Sequence, residues 1–317
     1  MRVGMILPHW TGSMAGQTPT AQDVLQLGRR AEEIGADSLW LTDHLYHETY
    51  LDFAAHGYEL PEEYRGVRSG FWECWTLLSA LASTTSRVEI GTLVTNTGLR
   101  NPALLANMAE TVDALSNGRL ILGLGAGDFY SEHQFHGVPW ENRVSRFEEA
   151  LQILVPMLRG EQTTLAGEYY SASTAELVPR GPRSEGPDIL IGSMQGGPRM
   201  MRLTAEYAQG WSCWIAFEDS RVDHFRARFE HSREAIRQQN TDPDAMRTAV
   251  AIGVCHPDGA FMVPGANPLN GSSEQVAGEI ARYAEAGVDD LCVLLQPATL
   301  SGFDWFGEVL ERARLHA

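Results

Sequence analysis

Short apolar, β-branched runs alternate along this chain with longer stretches whose apolar residues recur at helical spacing. Val88–Val94 and Leu120–Leu124 are two such runs, and Pro102–Leu115 between them has the period of a helix. Each run ends in glycines or small polar residues rather than in a hairpin turn, which implies parallel strands. The pattern repeats. Arg2–Leu7, Asp37–Thr42, Asp188–Gly192, Trp211–Ile215, Thr248–Cys255 and Asp289–Leu295 read as six further strands. Helices are predicted from Thr20 to Ile34, over Phe71–Ser83, Arg143–Leu158, Gly196–Tyr207 and Asp219–Gln239, from Ser272 or Ser273 to Ala286, and over Phe303–Leu315. Eight strand–helix units in one domain spanning 1–317 predict an α/β fold, a (β/α)8 TIM barrel, with an insertion at about 160–187 before strand 5. A doubly wound sheet is the alternative, but Gly123-x-Gly125-x-Gly127 is not its dinucleotide fingerprint. Leu45–Gly70 and residues 129–142 read as loops. At the C-terminal edge of a barrel, a loop as long as the first is a lid or pocket wall.

Composition narrows the chemistry. The net charge of -17 makes nucleic acid and anionic membrane poor partners. No run approaches a membrane span and no secretory leader is visible, so a cytoplasmic location is expected. Cys74, Cys213, Cys255 and Cys292 share no metal or redox spacing and read as buried free thiols. All 24 Lys+Arg residues are arginine. Lysine Schiff-base chemistry and a Walker-A loop are therefore excluded, and any phosphate must be held by backbone N–H groups, hydroxyls or arginine.

Three constellations stand at predicted C-terminal strand ends. Asp43-His44 follows strand 2; position alone leaves open a proton-handling pair or a turn-capping Asp with a solvated His. Asp128 follows Gly125-Ala126-Gly127, where small residues admit a flat ligand, although alone it reads as a solvated turn acid. Ser193–Arg199 (SMQGGPR) is the best anion site: two glycines precede Pro198 at a helix start, with Arg199 nearby. The loop histidines lack metal-ligand spacing, so no metal is expected.

These residues, taken together, resemble the bacterial luciferase-like flavin and deazaflavin oxidoreductases. The resemblance rests on Trp40–His44, Gly91–Val94 with Arg100-Asn101-Pro102, and Asp113–Arg119 running into Gly123–Gly127. It continues through Arg143–Glu149 and Gly196–Arg199 before Gly210-Trp211. It implies coenzyme F420, or alternatively FMN, across the barrel mouth, with a non-prolyl cis peptide at Leu93-Val94. It also implies that His44 and Asp43 face the reactive ring with Asp128 assisting. Asn96 would lie at the ring edge, and the stretch Ser193, Met194, Gly196, Gly197, Pro198 and Arg199 would bind the phosphate, with Gly127 under the ligand. Two chemistries follow from the family: hydride transfer with F420 to or from a small organic substrate, or FMNH2-dependent oxygen insertion with a separate reductase. A non-catalytic flavin binder is a further possibility. Family members commonly form homodimers.

Overall fold

The computed structural model describes residues 1–194 and 196–316. Eight parallel strands close into a barrel: β1 (Arg2–Ile6), β2 (Ser38–Leu41), β3 (Glu89–Thr92), β4 (Leu120–Gly125), β5 (Asp188–Gly192), β6 (Gly210–Trp214), β7 (Arg247–Cys255) and β8 (Asp290–Gln296). Each pairs with its sequence neighbour, and β1 pairs with β8 to close the ring. The outer helices are α1 (Ala21–Glu33), α2 (Cys74–Thr84), α3 (Pro102–Ser116), α4 (Arg143–Leu158), α5 (Pro198–Tyr207), α6 (Val222–Arg237), α7 (Ser273–Glu285) and α8 (Leu300–His316). The predicted barrel and its insertion are both present. No helix among the described residues is long and apolar enough to cross a membrane.

Local chemistry explains the helix ends. Thr20 and Asp23 form a capping box on α1, and Ser272 and Gln275 form another on α7. Asn101 caps α3, Pro102 opens it, and Asn117 ends it in the left-handed region. Two apolar layers result. Val24, Leu27 and Ala31 of α1 pack with Leu39, Leu78 and Leu122 between helices and strands, while Ile6, Trp40, Ile121, Leu190 and Leu294 fill the barrel itself. All four cysteines are buried and free. At the N-terminal end, Arg247 bridges Asp290 and Glu89, closing the floor opposite the mouth.

Three local expectations need correction. Leu45–Gly70 is not irregular: Tyr46–Glu48 pairs antiparallel with Arg68–Gly70, and a short helix, Thr49–Ala55, lies between them. Residues 129–142 likewise contain a short helix, Tyr130–His136. Seven residues are too few to display a helical period in sequence. The second helix begins at Cys74 rather than Phe71, because Glu73 accepts the N–H groups of Trp75 and Thr76 and fixes the start there. The insertion is an antiparallel hairpin, Thr163–Ala166 with Ser171–Ala175. The segment that follows it is tied to α3 by Arg180–Glu110 at 2.8 Å and Arg183–Asp113 at 2.5 Å.

The third strand shapes the mouth. After Thr92 the Leu93-Val94 peptide is cis, and the chain rejoins the sheet as Thr95-Asn96 against Leu124 and Gly125. The displaced Val94 side chain fills space left by glycines on the neighbouring strands. A Cβ at Gly125 would stand 2.7 Å from Val94 Cγ2, and one at Gly192 would stand 2.9 Å from it.

Candidate active site

The C-terminal ends of the strands open into a cleft of about 1710 Å³. The segment after β2 crosses this mouth. Its Phe53 stacks on Phe217, beyond β6, at 5.4 Å, and Tyr58 meets Phe217 edge-on at 6.1 Å. Residues 45–70 thus roof the barrel from β2 to the loop after β6, as expected of a lid.

His44 is the best-defined titratable group in this cleft. Its imidazole stacks on Phe129, with centroids 4.2 Å apart, and Nδ1 lies 3.3 Å from Glu132 Oε2. Glu132 is wholly buried, and its Oε1 accepts the Leu45 N–H at 2.6 Å. Burial works against a charged imidazole, but the Glu132 carboxylate outweighs it and holds His44 up at about 9. Glu132 in turn is held below the ordinary carboxylate range: burial pushes it up, but the adjacent His44 charge and the hydrogen bonds pull it down further. The pair is a cation and an anion at neutral pH. Among the described residues, His44 Nε2 has no hydrogen bond.

Asp43 has a different setting. It is buried, and its two oxygens accept Arg100 Nη1 at 2.6 Å, Arg100 Nη2 at 2.9 Å and the Asn96 N–H at 3.0 Å. Arg100 also reaches Glu73 at 2.7 Å. Burial pushes the Asp43 carboxyl up while Arg100 pulls it down; the bidentate guanidinium keeps it paired. The acceptor capacity of Asp43 is thus directed into the scaffold, and through Asn96 it fixes the chain just after the cis bulge.

Asn96 is locked as well. Its Oδ1 accepts the Gly98 N–H at 2.9 Å and its Nδ2 lies 3.1 Å from His133 Nε2, whose Nδ1 faces the Pro139 carbonyl at 3.1 Å. Gly127 sits against this pair with φ +84°; a Cβ there would stand 2.6 Å from His133 Nε2 and 2.7 Å from Asn96 Nδ2. Asp128 lines the cleft at the rim and lies 3.7 Å from His56 Nε2. Behind His44, the buried His47 stacks near Phe129 and approaches Asp52 at 3.4 Å, and Asp52 accepts Ser131 Oγ at 2.5 Å.

The predicted anion stretch is only partly turned to the cleft. Leu93, Val94, Ser193, Met194 and Gly197 line it together with Asp43, His44, Asn96, Gly127 and Asp128. Ser193 Oγ accepts the Gly196 N–H at 3.1 Å, and Pro198 opens α5 after Gly197. Gly196 packs instead beside Ser232 and His231. The Arg199 side chain turns to α4, donating to Glu148 Oε2 at 2.6 Å and to Ser145 Oγ at 3.0 Å. Arg143, at the start of α4, lines the cleft where the sequence had suggested Arg199. Sequence reasoning also gave no role to Glu132, Arg100, His47 or Asp52. Arg100 could have been found as the cation nearest in sequence to a strand-3 loop facing Asp43.

The family resemblance is borne out by comparison. A family model described as luciferase-like monooxygenase matches residues 1–260. A phthiodiolone/phenolphthiodiolone dimycocerosates ketoreductase of Mycobacterium tuberculosis is 34% identical over 236 residues, covering 71% of this chain and 58% of that protein. An F420-dependent glucose-6-phosphate dehydrogenase of Amycolatopsis mediterranei is 30% identical over 61% of this chain and 53% of that protein. The chain therefore spans little more than half the length of these curated relatives. A solved F420-dependent secondary alcohol dehydrogenase, in complex with an F420-acetone adduct, superposes with a TM-score of 0.76 at 20% identity, over 99% of both chains; at that identity the likeness is one of fold. A model match across most of the barrel, on a chain that carries the bulged third strand at its mouth, leads to one conclusion: this protein belongs to the luciferase-like monooxygenase family.

Proposed function

We propose that this protein is an F420-dependent oxidoreductase that reduces the carbonyl of a small, partly apolar organic substrate, or oxidises the corresponding alcohol. The observation that carries the reading is the ion pair of the cleft-lining His44 with the buried Glu132, in the same cleft that Leu93 and Val94 of the bulge line. The F420-named and ketoreductase-named relatives support the cofactor and the reaction class.

The cleft fits the cofactor in three respects. Its volume of about 1710 Å³ exceeds the range of roughly 300–1,000 Å³ usual for one drug-sized ligand, so cofactor and substrate can share it. Gly197 presents bare backbone to it, and a Cβ there would meet nothing within 4 Å. The first-turn N–H groups of Arg199 and Met200 on α5 lack partners inside the helix and suit a phosphate. When bound, the deazaflavin supplies a hydride donor or acceptor.

The chain's own residues handle the proton. With His44 held at about 9, the imidazolium is the form present at neutral pH. Its Nε2–H can donate to a substrate oxygen as that oxygen gains charge, and Glu132 stabilises the cation and orients the ring through Nδ1. In the alcohol-oxidising direction the neutral imidazole accepts the same proton. Phe71, Phe129, Trp214, Phe217 and Phe261 give the chamber apolar walls that exclude water and select an uncharged substrate body. Asp43 acts as a positioning residue, holding Asn96 and the bulge.

Equilibrium titration of the purified protein with F420 and with FMN, oxidised and reduced, tests the reading. Tight F420 binding with weak FMN binding is expected. Preference for reduced FMN would replace the reading with a two-component monooxygenase served by a separate reductase.

A further inference from the structure

Several polar groups that line the cleft are already committed within the protein: Asp43 to Arg100, His44 to Glu132, and Glu218 to Arg228. Gln296, the last residue of β8, is placed differently. It lines the cleft yet is only 3% exposed. Its Nε2 donates to the Ser13 carbonyl at 3.3 Å and faces Met262 Sδ at 3.6 Å. Both neighbours are acceptors, which fixes the amide with its nitrogen towards them. Oε1 carries no hydrogen bond among the described residues. Once a bound substrate fills the cleft and displaces water, that oxygen needs a donor from the substrate.

The amide is built into a wall that begins at His44. The His44 ring meets Phe71 at 5.3 Å, and Phe71 meets Trp10 at 5.8 Å and pairs with it through an antiparallel bridge. Ser13 Oγ donates to the Trp10 carbonyl at 2.6 Å, and the Ser13 carbonyl in turn holds Gln296. The wall runs from the end of β2 across the loop after β1 to the end of β8. The bulge after β3 and the Ser193–Gly197 stretch after β5 each lie three strands from β8 around the ring. Gln296 therefore stands away from the expected cofactor contacts and on the same wall as the proton donor.

We propose that Gln296 is a specificity-determining residue: its Oε1 accepts a hydrogen bond from a hydroxyl or amide N–H that the substrate carries on its apolar body, away from the carbonyl served by His44. An uncharged donor fits, because Trp10, Phe71, Phe261 and Met262 line the cleft around it and one neutral acceptor cannot replace the hydration of an ammonium. A site built on such a contact rejects an analogue that lacks the donor, since the oxygen is then left buried and unpaired. The inference deepens the oxidoreductase reading above and rests on it.

The test measures kcat/KM with reduced F420 for a homologous series of straight-chain 2-alkanones, their ω-hydroxy derivatives and the methyl ethers of these, in wild type and Gln296→Met. The ether keeps the oxygen but cannot donate. Wild type is expected to prefer the best-fitting hydroxyketone over both its parent and its ether by about tenfold to a hundredfold. In Gln296→Met the preference should fall to about one. The ratio is taken within each protein, so a change in overall rate does not enter it, and the wild-type comparison stands if the variant does not fold. Equal kcat/KM for hydroxyketone and ether at every chain length, or a preference that survives in Gln296→Met, overturns the proposal, while turnover of the ketones upholds the oxidoreductase reading. If no ketone is turned over, that reading fails, and tryptophan-fluorescence titration with the same compounds decides the contact by itself. Tighter binding of the hydroxyketone in wild type, lost in Gln296→Met, then supports it; equal binding or none overturns it.

Discussion

His44 and Glu132 stand 88 positions apart in the chain and 3.3 Å apart in the fold, the first just beyond β2 and the second on the short helix Tyr130–His136. The carboxylate is buried to 0% exposure, so its charge acts on the imidazole with little solvent screening. The pair fixes the protonation state of the group nearest the proposed chemistry. Glu132 also ties the lid's first residue, Leu45, to the segment after β4.

Replacing His44 with Ala is expected to lower turnover by about 10²–10⁴-fold, the usual contribution of general acid–base catalysis, with cofactor affinity largely kept. Steady-state kinetics beside a cofactor titration separates the two effects. Full turnover in the variant would remove His44 from the chemistry.

The pH dependence follows from the direction of the shift. His44 is raised above its ordinary value, so carbonyl reduction should hold through neutral pH and fall as pH rises through about 9. Glu132→Gln removes the charge that raises it, and the alkaline limb should move down towards the ordinary histidine range. The same pairing stabilises the fold fully below the unfolded value of about 6.5, and this stability is lost as pH rises through the folded value. Rate profiles and denaturation midpoints across alkaline pH, in wild type and Glu132→Gln, check both statements.

Asp43 and Arg100 make the second buried pair, and removing one partner leaves the other charge without compensation. Arg100→Ala should destabilise the fold by about 3–5 kcal/mol, measurable by urea unfolding. A variant with unchanged midpoint would mean that solvent compensates Asp43 and that the pair is not a scaffold element.

Gly127→Ala should disturb the mouth rather than the barrel. The new methyl group would collide with His133 and Asn96, and φ +84° suits glycine alone. Cofactor binding is expected to weaken together with a loss of about 1–3 kcal/mol in stability. A crystal structure or titration showing an undisturbed Asn96–His133 contact would contradict this.

The barrel is legible in the sequence because each strand is an uninterrupted apolar run and each outer helix carries its period and its caps. Leu120–Gly125 and Arg143–Leu158 show both signals over enough residues to be read. The lid hairpin and the helix Tyr130–His136 are not, since three- and seven-residue elements have no readable period. Asp43 and His44 could be singled out because they follow a strand end, and Asn96 through the family resemblance. Glu132 could not: nothing local distinguishes it from a solvated helix acid, and its role arises only when the barrel brings Tyr130–His136 over β2. Arg199 shows the converse. Its place beside a helix start suggested a ligand, but Glu148 and Ser145 on the neighbouring helix take its guanidinium.

The central claim, hydride transfer with His44 as proton donor, is tested most directly by anaerobic single-turnover mixing of the protein, loaded with reduced F420, with an apolar ketone at neutral pH. The return of oxidised F420 absorbance is followed in wild type and His44→Ala. The account predicts oxidation without oxygen in wild type, slowed by orders of magnitude in the variant. No oxidation until oxygen is admitted, or equal rates in the two proteins, would contradict it.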